Sequence, residues 1–371
     1  MNVLFTISSL GLGHITRCIP IIDKLLEKDY RITVICHGNS LNYLKNKYNE
    51  EVNYYDFEDY PKFMRGKGDI DYIPNLIIDS KRLKNIINSE RKFLDTLLEN
   101  KKFDLIISDG RYGFYTKSIP SYILSHQIKI LLPLALKPFE KIVMKKNIKL
   151  LKKFNKVIIP DTNQDENLSG KMSHGLMKFS RKKKFVGILS SLYNLDSNYE
   201  IENSKLKRIV DDLDFLFIMG GYLLGKKPDF IKQSEEQLKK INKKTVIVTG
   251  DVKKQRPEFL TKNVVKIPYI MGDLKKLMFK NANHIIGRTG YTTIMDLVQC
   301  NKKGYLIPTP GQTEQEYLGK YLKDEGYFYT STQSEIDIEK YLNNVENYNP
   351  PKLHKTKKSV NNVMRIIKNE M

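Results

Sequence analysis

GRTGYTTIMDLVQCNKKGYLIPTPGQTEQEYLGKYLKDEG, residues 287–326, reads as a glycine turn, a helix, a short strand ending at Pro308, a polar loop and a second helix. The turn Arg288-Thr289-Gly290 opens the first of these helices, and the N–H groups at a helix N-terminus favour an anion. Asp296 falls inside that helix, where a carboxylate can accept two hydrogen bonds from a vicinal diol such as a ribose. Past the strand, Gln312, Thr313, Glu314, Gln315 and Glu316 crowd the carboxyl end, where open α/β sheets hold their ligands. Phosphate donors, a diol acceptor and a row of polar groups together describe a nucleotide-sugar site. The plainer reading is an ordinary βαβ unit with a solvated loop.

Working outward, residues 1–38 read as strand, glycine loop, helix and strand. Ser9-Leu10-Gly11-Leu12-Gly13-His14 occupies the first turn, where Gly11 and Gly13 are expected to let the backbone pass close to a ligand in conformations other residues resist. The third glycine of the dinucleotide fingerprint is missing, since Arg17 and Cys18 follow, and no acidic residue closes the second strand. That pattern argues against NAD or FAD. His14 stands at the carboxyl end of a strand, where an imidazole can serve as general base; otherwise it caps the first helix. Arg17 belongs to the same helix start and could meet a phosphate.

Other turns add candidates. The apolar strand at 213–219 runs into Gly220-Gly221, whose main-chain N–H groups could hold a diphosphate. Asp109-Gly110-Arg111-Tyr112-Gly113 closes a strand of the first half, and Asp109 is the second candidate base. Tyr269-Ile270 follows a strand at 264–267; Tyr269 either stacks on a base or is plain core. Arg288 offers a planar donor fork to a diphosphate. His126-Gln127 either reaches the same end of the sheet or forms a structural hydrogen-bonded pair.

The spacing from Thr289-Gly290 through Asp296, Pro308 and Gln315 to Gly319 resembles the donor-site signature of glycosyltransferase family 28, in an archaeal-type form. That family includes the N-acetylglucosaminyltransferase that makes the last lipid intermediate of peptidoglycan. The resemblance implies the glycosyltransferase-B (GT-B) fold: two Rossmann-like, doubly wound α/β domains facing across a cleft. It implies a UDP-sugar donor, a first choice of N-acetylhexosamine, a hydroxyl acceptor on a lipid-linked or cell-envelope molecule, and inversion. No cofactor beyond the donor and no metal is expected. In the family the position of Asp296 grips the ribose and that of Gln315-Glu316 touches the donor sugar. Here Asp stands for the usual Glu, Glu316 for Gln, and Tyr222 for the serine after Gly220-Gly221. The glycine loop ending in His14 is similar too, and there the histidine is a base or a diphosphate contact. The Asp109 loop lies by the acceptor in relatives, and the stretch around Tyr269-Ile270 holds uracil. Two rival readings remain: a UDP-sugar 2-epimerase of the same fold, and a non-catalytic module for anionic surfaces.

At 371 residues the chain is long enough for two domains, expected at 1–189 and 190–350, with a last helix at 351–371 crossing back to the first. Strands are expected near 3–8, 31–36, 105–108, 129–133 and 157–160, then 213–219, 244–249, 264–267, 284–287 and 303–308. No apolar run reaches the length of a membrane-spanning helix, and three scattered cysteines suggest a reducing cytoplasm. The net charge of +21 calls for an anionic partner. Residues 137–156 read as one basic amphipathic helix with Phe139, Ile142, Val143, Leu150 and Phe154 on one side, suited to the inner face of a membrane or simply to a core. A second basic cluster at 178–184 could extend that patch. The acidic residues of 312–316 speak against nucleic acid.

Overall fold

Parallel strands flanked by helices dominate the computed structural model, which describes residues 1–58, 69–175, 181–197, 199–219, 227–250 and 256–369, with 69–80 and 227–229 described in backbone only. The chain divides into two compact units, Met1–Leu189 with His354–Met371, and Ser190–Leu353.

In the first unit β1 (Asn2–Ile7), β2 (Arg31–Cys36), β3 (Val52–Asp56), β4 (Leu105–Asp109), β5 (Ser121–Leu124), β6 (Lys156–Ile159) and β7 (Lys183–Phe185) form one sheet in the order β3-β2-β1-β4-β5-β6-β7. All of its pairings are parallel. VLFTI in β1 and ITVIC in β2 are buried throughout. Such near-continuous runs suit strands covered on both faces. The covering helices are α1 (Leu12–Leu26), α2 (Gly38–Tyr48), α3 (Asp69–Asn100) and α4 (Glu140–Leu151). Strand order reverses between β1 and β4, so the loops after these two strands leave in opposite directions and open a crevice at the carboxyl end.

The second unit repeats the plan. Its strands are β8 (Phe215–Ile218), β9 (Thr245–Val248), β10 (Glu258–Phe259), β11 (Val264–Ile267), β12 (His284–Arg288), β13 (Gly304–Ile307) and β14 (Tyr329–Thr330), in the order β10-β11-β9-β8-β12-β13-β14. Only the two-residue edge β10 is antiparallel among the described strands. The helices are α5 (Ser204–Asp211), α6 (Lys227–Ile241), α7 (Gly272–Asn281), α8 (Tyr291–Cys300), α9 (Thr313–Asp324) and α10 (Ile338–Asn344). Local chemistry sets their ends. The Asn203 side chain accepts from the Leu206 N–H at 3.0 Å to start α5, and Asp337 accepts from the Lys340 N–H at 2.9 Å to start α10. Asn301, at φ +51°, stops α8 in the left-handed conformation. The reversal here lies between β8 and β12.

The last helix, α11 (Thr356–Lys368), belongs to the first unit. Val360, Val363, Met364 and Ile367 on its buried face share a core cluster with Ile15, Ile19 and Ile22 of α1.

Two expectations need correcting. Residues 129–133 are not a strand; the fifth strand is Ser121–Leu124, and the Ile128 and Lys129 N–H groups both donate to the Met172 carbonyl. The basic stretch at 137–156 is not one helix. Pro138 sits in a 3₁₀ turn over Leu134–Phe139, α4 follows, and Phe154 turns into the core before β6. Of the second basic cluster, residues 178–180 lie outside the described residues.

Gly319 shows how tightly α9 seats on the end of β13. A Cβ there would come within 2.5 Å of Pro308 Cγ, on a ring that cannot swing away. Gly319→Ala is expected to lower stability by about 1–3 kcal/mol through overpacking, read as a drop in Tm. An unchanged Tm would mean that the helix can shift without cost.

Candidate active site

At the carboxyl end of the first sheet, β1 delivers the glycine loop and α1, and β4 delivers Asp109. His14 Nδ1 lies 2.8 Å from Asp109 Oδ1, and the imidazole keeps about a quarter of its surface in solvent. Asp109 is fully buried and accepts further from Arg17 Nε at 2.6 Å, from Arg17 Nη2, and from Cys18 Sγ at 3.1 Å. Burial pushes the Asp109 carboxyl up. The Arg17 guanidinium and then His14 outweigh that and hold it well below the usual carboxylate range. Burial and the Asp109 charge together push the neighbouring Tyr112 phenol up to about 12.

These contacts sort the sequence candidates of the first unit. His14 is the partly exposed member of the pair, and Asp109 fixes the orientation of its ring. A carboxylate fully buried and held by a guanidinium is a poor proton acceptor, which counts against Asp109 as the alternative base. Arg17 is buried against Asp109, which counts against its expected phosphate contact. The glycine loop also works differently from expectation. Gly11 has φ 171°, ordinary extended backbone, and Gly13 is not among the left-handed residues. What Gly11 offers is room, with no atom within 4 Å of where a Cβ would stand. The glycine under constraint is Gly110, at φ +71°, where a Cβ would come 3.2 Å from His14 Cε1. Beyond it the loop is pinned by a fully buried ion pair, Arg111 Nε to Glu90 Oε1 at 2.7 Å, while the Gly113 N–H donates to Glu90 Oε2.

In the second unit, β12 and β13 carry the candidate donor groups. Gly290 is the N-cap of α8, with no side-chain cap and no acid in the first turn. The N-terminus of α9 instead carries Glu314 and Glu316, which suit the helix dipole and repel a phosphate. Of the two, α8 is the terminus fit for an anion. Beside it the Thr289 hydroxyl is buried with no hydrogen-bond partner, and so is the amide oxygen of Gln312 across the loop. An unmade hydrogen bond of this kind costs about 1–3 kcal/mol, and two such groups at one sheet end mark where a polar ligand belongs.

The remaining residues of that end are mostly occupied. Asp296 is buried; one carboxylate oxygen accepts from the Ser190 hydroxyl and the other pairs with Lys275 Nζ at 2.5 Å. The expected ribose contact is therefore not open in this structure: the shorter acid is satisfied inside its own unit. Arg288 is likewise enclosed, donating to the Pro308 carbonyl at 3.1 Å and to Gln333 Oε1 at 2.7 Å, with its guanidinium 3.8 Å from the Phe230 ring centre. Burial pulls its pKa down to about 10. It braces the end of β13, and these contacts compete with its expected role on a diphosphate. Gln315 Oε1 accepts from the Thr309 N–H at 2.9 Å and Glu316 Oε1 from the Gly311 N–H at 2.7 Å, shaping the 309–311 turn. Tyr269 is half exposed while Ile270 is buried, so the tyrosine is not core. Gly220, Gly221 and Tyr222 lie outside the described residues. Lys275 and Ser190 were not singled out from sequence, because nothing local ties them to Asp296.

The Asp109 pair has a defined acid dependence. Its folded pKa is depressed, so its contribution is complete above the ordinary aspartate range, ~4, and is lost as pH falls through the folded value. Asp109→Ala strands the Arg17 cation in the interior and is expected to lower stability at neutral pH by about 3–5 kcal/mol. The deficit relative to the parent shrinks on acidification. Urea titrations showing the same deficit at neutral and acid pH would refute this account.

Comparison with known proteins now adds to the geometry. Residues 215–370 match the glycosyltransferase family 28 C-terminal domain. No curated protein matches the chain in sequence. The MurG structure from Acinetobacter baumannii is similar at TM-score 0.55 and 14% identity, covering 100% of this chain and 99% of that one. The Streptomyces sp. SF2575 glycosyltransferase SsfS6 is similar at TM-score 0.58 and 13% identity, covering 99% of each chain. SnogD from Streptomyces nogalater, also a glycosyltransferase, gives TM-score 0.57 and 12% identity over 99% of this chain and 95% of that one. At such identities the structures speak for the fold alone, and the domain match speaks for a likeness of residues 215–370. Residues 215–370 are thus similar to the C-terminal domain of glycosyltransferase family 28, and the chain has the GT-B fold.

Proposed function

We propose that the protein transfers a sugar, with N-acetylhexosamine the first choice, from a UDP-sugar to a hydroxyl of a lipid-linked or cell-envelope acceptor, with inversion. The observation that carries this reading is the pair of unpartnered buried groups, Thr289 Oγ1 and Gln312 Oε1, beside the uncapped N-terminus of α8. In the proposed reaction the nucleoside diphosphate sits at that terminus, where backbone N–H groups stabilise the charge growing on the leaving oxygen. Tyr269 and Ile270 take the base. His14, its Nδ1 engaged by Asp109, removes the proton of the acceptor hydroxyl through Nε2. The helix terminus supplies the electrostatic stabilisation, so no metal is assigned to the step. The ribose contact of Asp296 forms only if Lys275 yields its place.

Thermal shift against a panel of nucleotide diphosphate sugars tests the donor site. UDP-sugars are expected to raise Tm, since ligand at ~100 times Kd adds about 2.7 kcal/mol, and Thr289→Val is expected to lose much of the shift. In a coupled assay that records UDP release together with a glycosylated product, His14→Gln is expected to reduce kcat by about 10²–10⁴. Stabilisation of parent and Thr289→Val alike would remove Thr289 from the site, and UDP-sugar turnover without a glycosylated product would favour epimerisation.

Peripheral contact with an anionic membrane from the cytoplasmic side belongs to the same proposal. Leu134 is 83% exposed, Phe139 54% and Ile142 52%, with Lys137, Lys141, Lys145 and Lys146 around them also exposed. Apolar side chains that enter the headgroup layer beside lysines give salt-sensitive binding. No described helix is long and apolar enough to cross a membrane. Sedimentation with vesicles containing phosphatidylglycerol is expected to fall several-fold for Leu134→Ser with Phe139→Ser. Equal sedimentation of parent and variant would show that this face stays in water.

A further inference from the structure

Four side chains meet at the carboxyl ends of β1, β4 and β5: His14, Arg17, Asp109 and His126. Their hydrogen-bonding capacities are not interchangeable. A guanidinium nitrogen only donates and an ionised carboxylate oxygen only accepts, whereas each ring nitrogen of a neutral histidine does one or the other. The buried Arg17 fork grips Asp109 side-on, Nε to Oδ2 at 2.6 Å and Nη2 to Oδ1. Its Nη1 faces His126 Nδ1 at 3.2 Å. A ring nitrogen that accepts from a guanidinium N–H is bare, and with Nδ1 of His126 as that acceptor its proton sits on Nε2. His14 Nδ1 lies 2.8 Å from the carboxylate oxygen Asp109 Oδ1, so it must carry the proton, which leaves Nε2 bare. Arg17 Nη2 also approaches His14 Nδ1, at 2.9 Å. Both N–H groups converge on the same Asp109 oxygen, which explains their proximity without a bond between them.

We infer that Arg17 is a positioning residue that imposes opposite tautomers on two histidines, leaving His14 with a bare Nε2 and His126 with a protonated one. It does so by keeping Asp109 ionised for His14 and by facing His126 directly. The inference rests on the reading of His14 as the base, and it gives this end of the sheet one proton acceptor and one proton donor of fixed identity. A second histidine thereby joins the machinery. Substituting Arg17 should disturb His126 even though that residue is 109 positions away in sequence.

Histidine-selective ¹⁵N labelling of the full chain, with long-range ¹H–¹⁵N spectra at mildly alkaline pH, reads both tautomers directly. His14→Phe and His126→Phe identify the two spin systems. The parent is expected to show His14 protonated at Nδ1 and His126 protonated at Nε2. In Arg17→Met, His126 is expected to lose that preference and populate both tautomers. Two histidines in the same tautomer in the parent would overturn the proposal. So would an unchanged His126 in an Arg17→Met protein that still unfolds cooperatively; if that variant does not fold, the parent spectra decide alone. UDP-sugar thermal shifts on the same samples keep the questions apart: absent stabilisation with opposite tautomers sinks the transferase reading, and normal stabilisation with matching tautomers sinks this one.

Discussion

A parallel sheet in which consecutive connections change direction leaves one place at its carboxyl edge that no crossover covers, and His14 and Asp109 in the first unit and Thr289 in the second lie at such a place. In the first unit β1 and β4 flank it, and in the second β8 and β12. The right-handed crossover rule sends the helices after these strand pairs to opposite faces. Backbone N–H groups and strand-end side chains are left facing the gap. His14 begins the helix after β1, and Asp109 is the last residue of β4. Neither could reach the other if one strand separated them.

Within that frame the first unit relies on charge placed where water is absent. A fully buried aspartate is tolerable because Arg17 meets both of its oxygens, and the same residue then has a fixed charge with which to orient an imidazole. Glu90 and Arg111, also fully buried, repeat the solution one loop away. The second unit contrasts with this. Its carboxylate at Asp296 is neutralised by Lys275, its arginine at 288 is enclosed, and the groups left without partners are uncharged, a hydroxyl and an amide oxygen. The first unit's cluster thus rests on charge, and the second unit's strand ends on main-chain and neutral hydrogen-bonding groups.

Much of this was legible in the sequence where a single segment carries the physics. ITVIC and VVKI are short apolar runs rich in β-branched residues, and both strands lie where such runs predict. The KILLP run is more apolar than SYIL, yet SYIL is the strand, because the backbone before KILLP is captured by the Met172 carbonyl from far along the chain. The position of His14 could be read from GLGH. The partner of Arg17 could not, since it lies 92 residues away, nor could the lysine 21 residues before Asp296. Glycines were legible as markers of turns but not of which turn is constrained. Gly11 and Gly13 drew notice as a pair, while Gly110, the glycine in the left-handed region beside His14, is a property of how two strands meet.

The placement of α11 bears on how the molecule is made. Its side chains Val360, Val363, Met364 and Ile367 complete the apolar layer over α1, although the two helices stand at opposite ends of the chain. During synthesis the whole second unit leaves the ribosome before the first can close its core. The side of α1 that α11 covers must therefore wait uncovered through most of translation, a long exposure for surface that attracts chaperones and stray neighbours. Final maturation of the leading half is set by the arrival of the trailing segment.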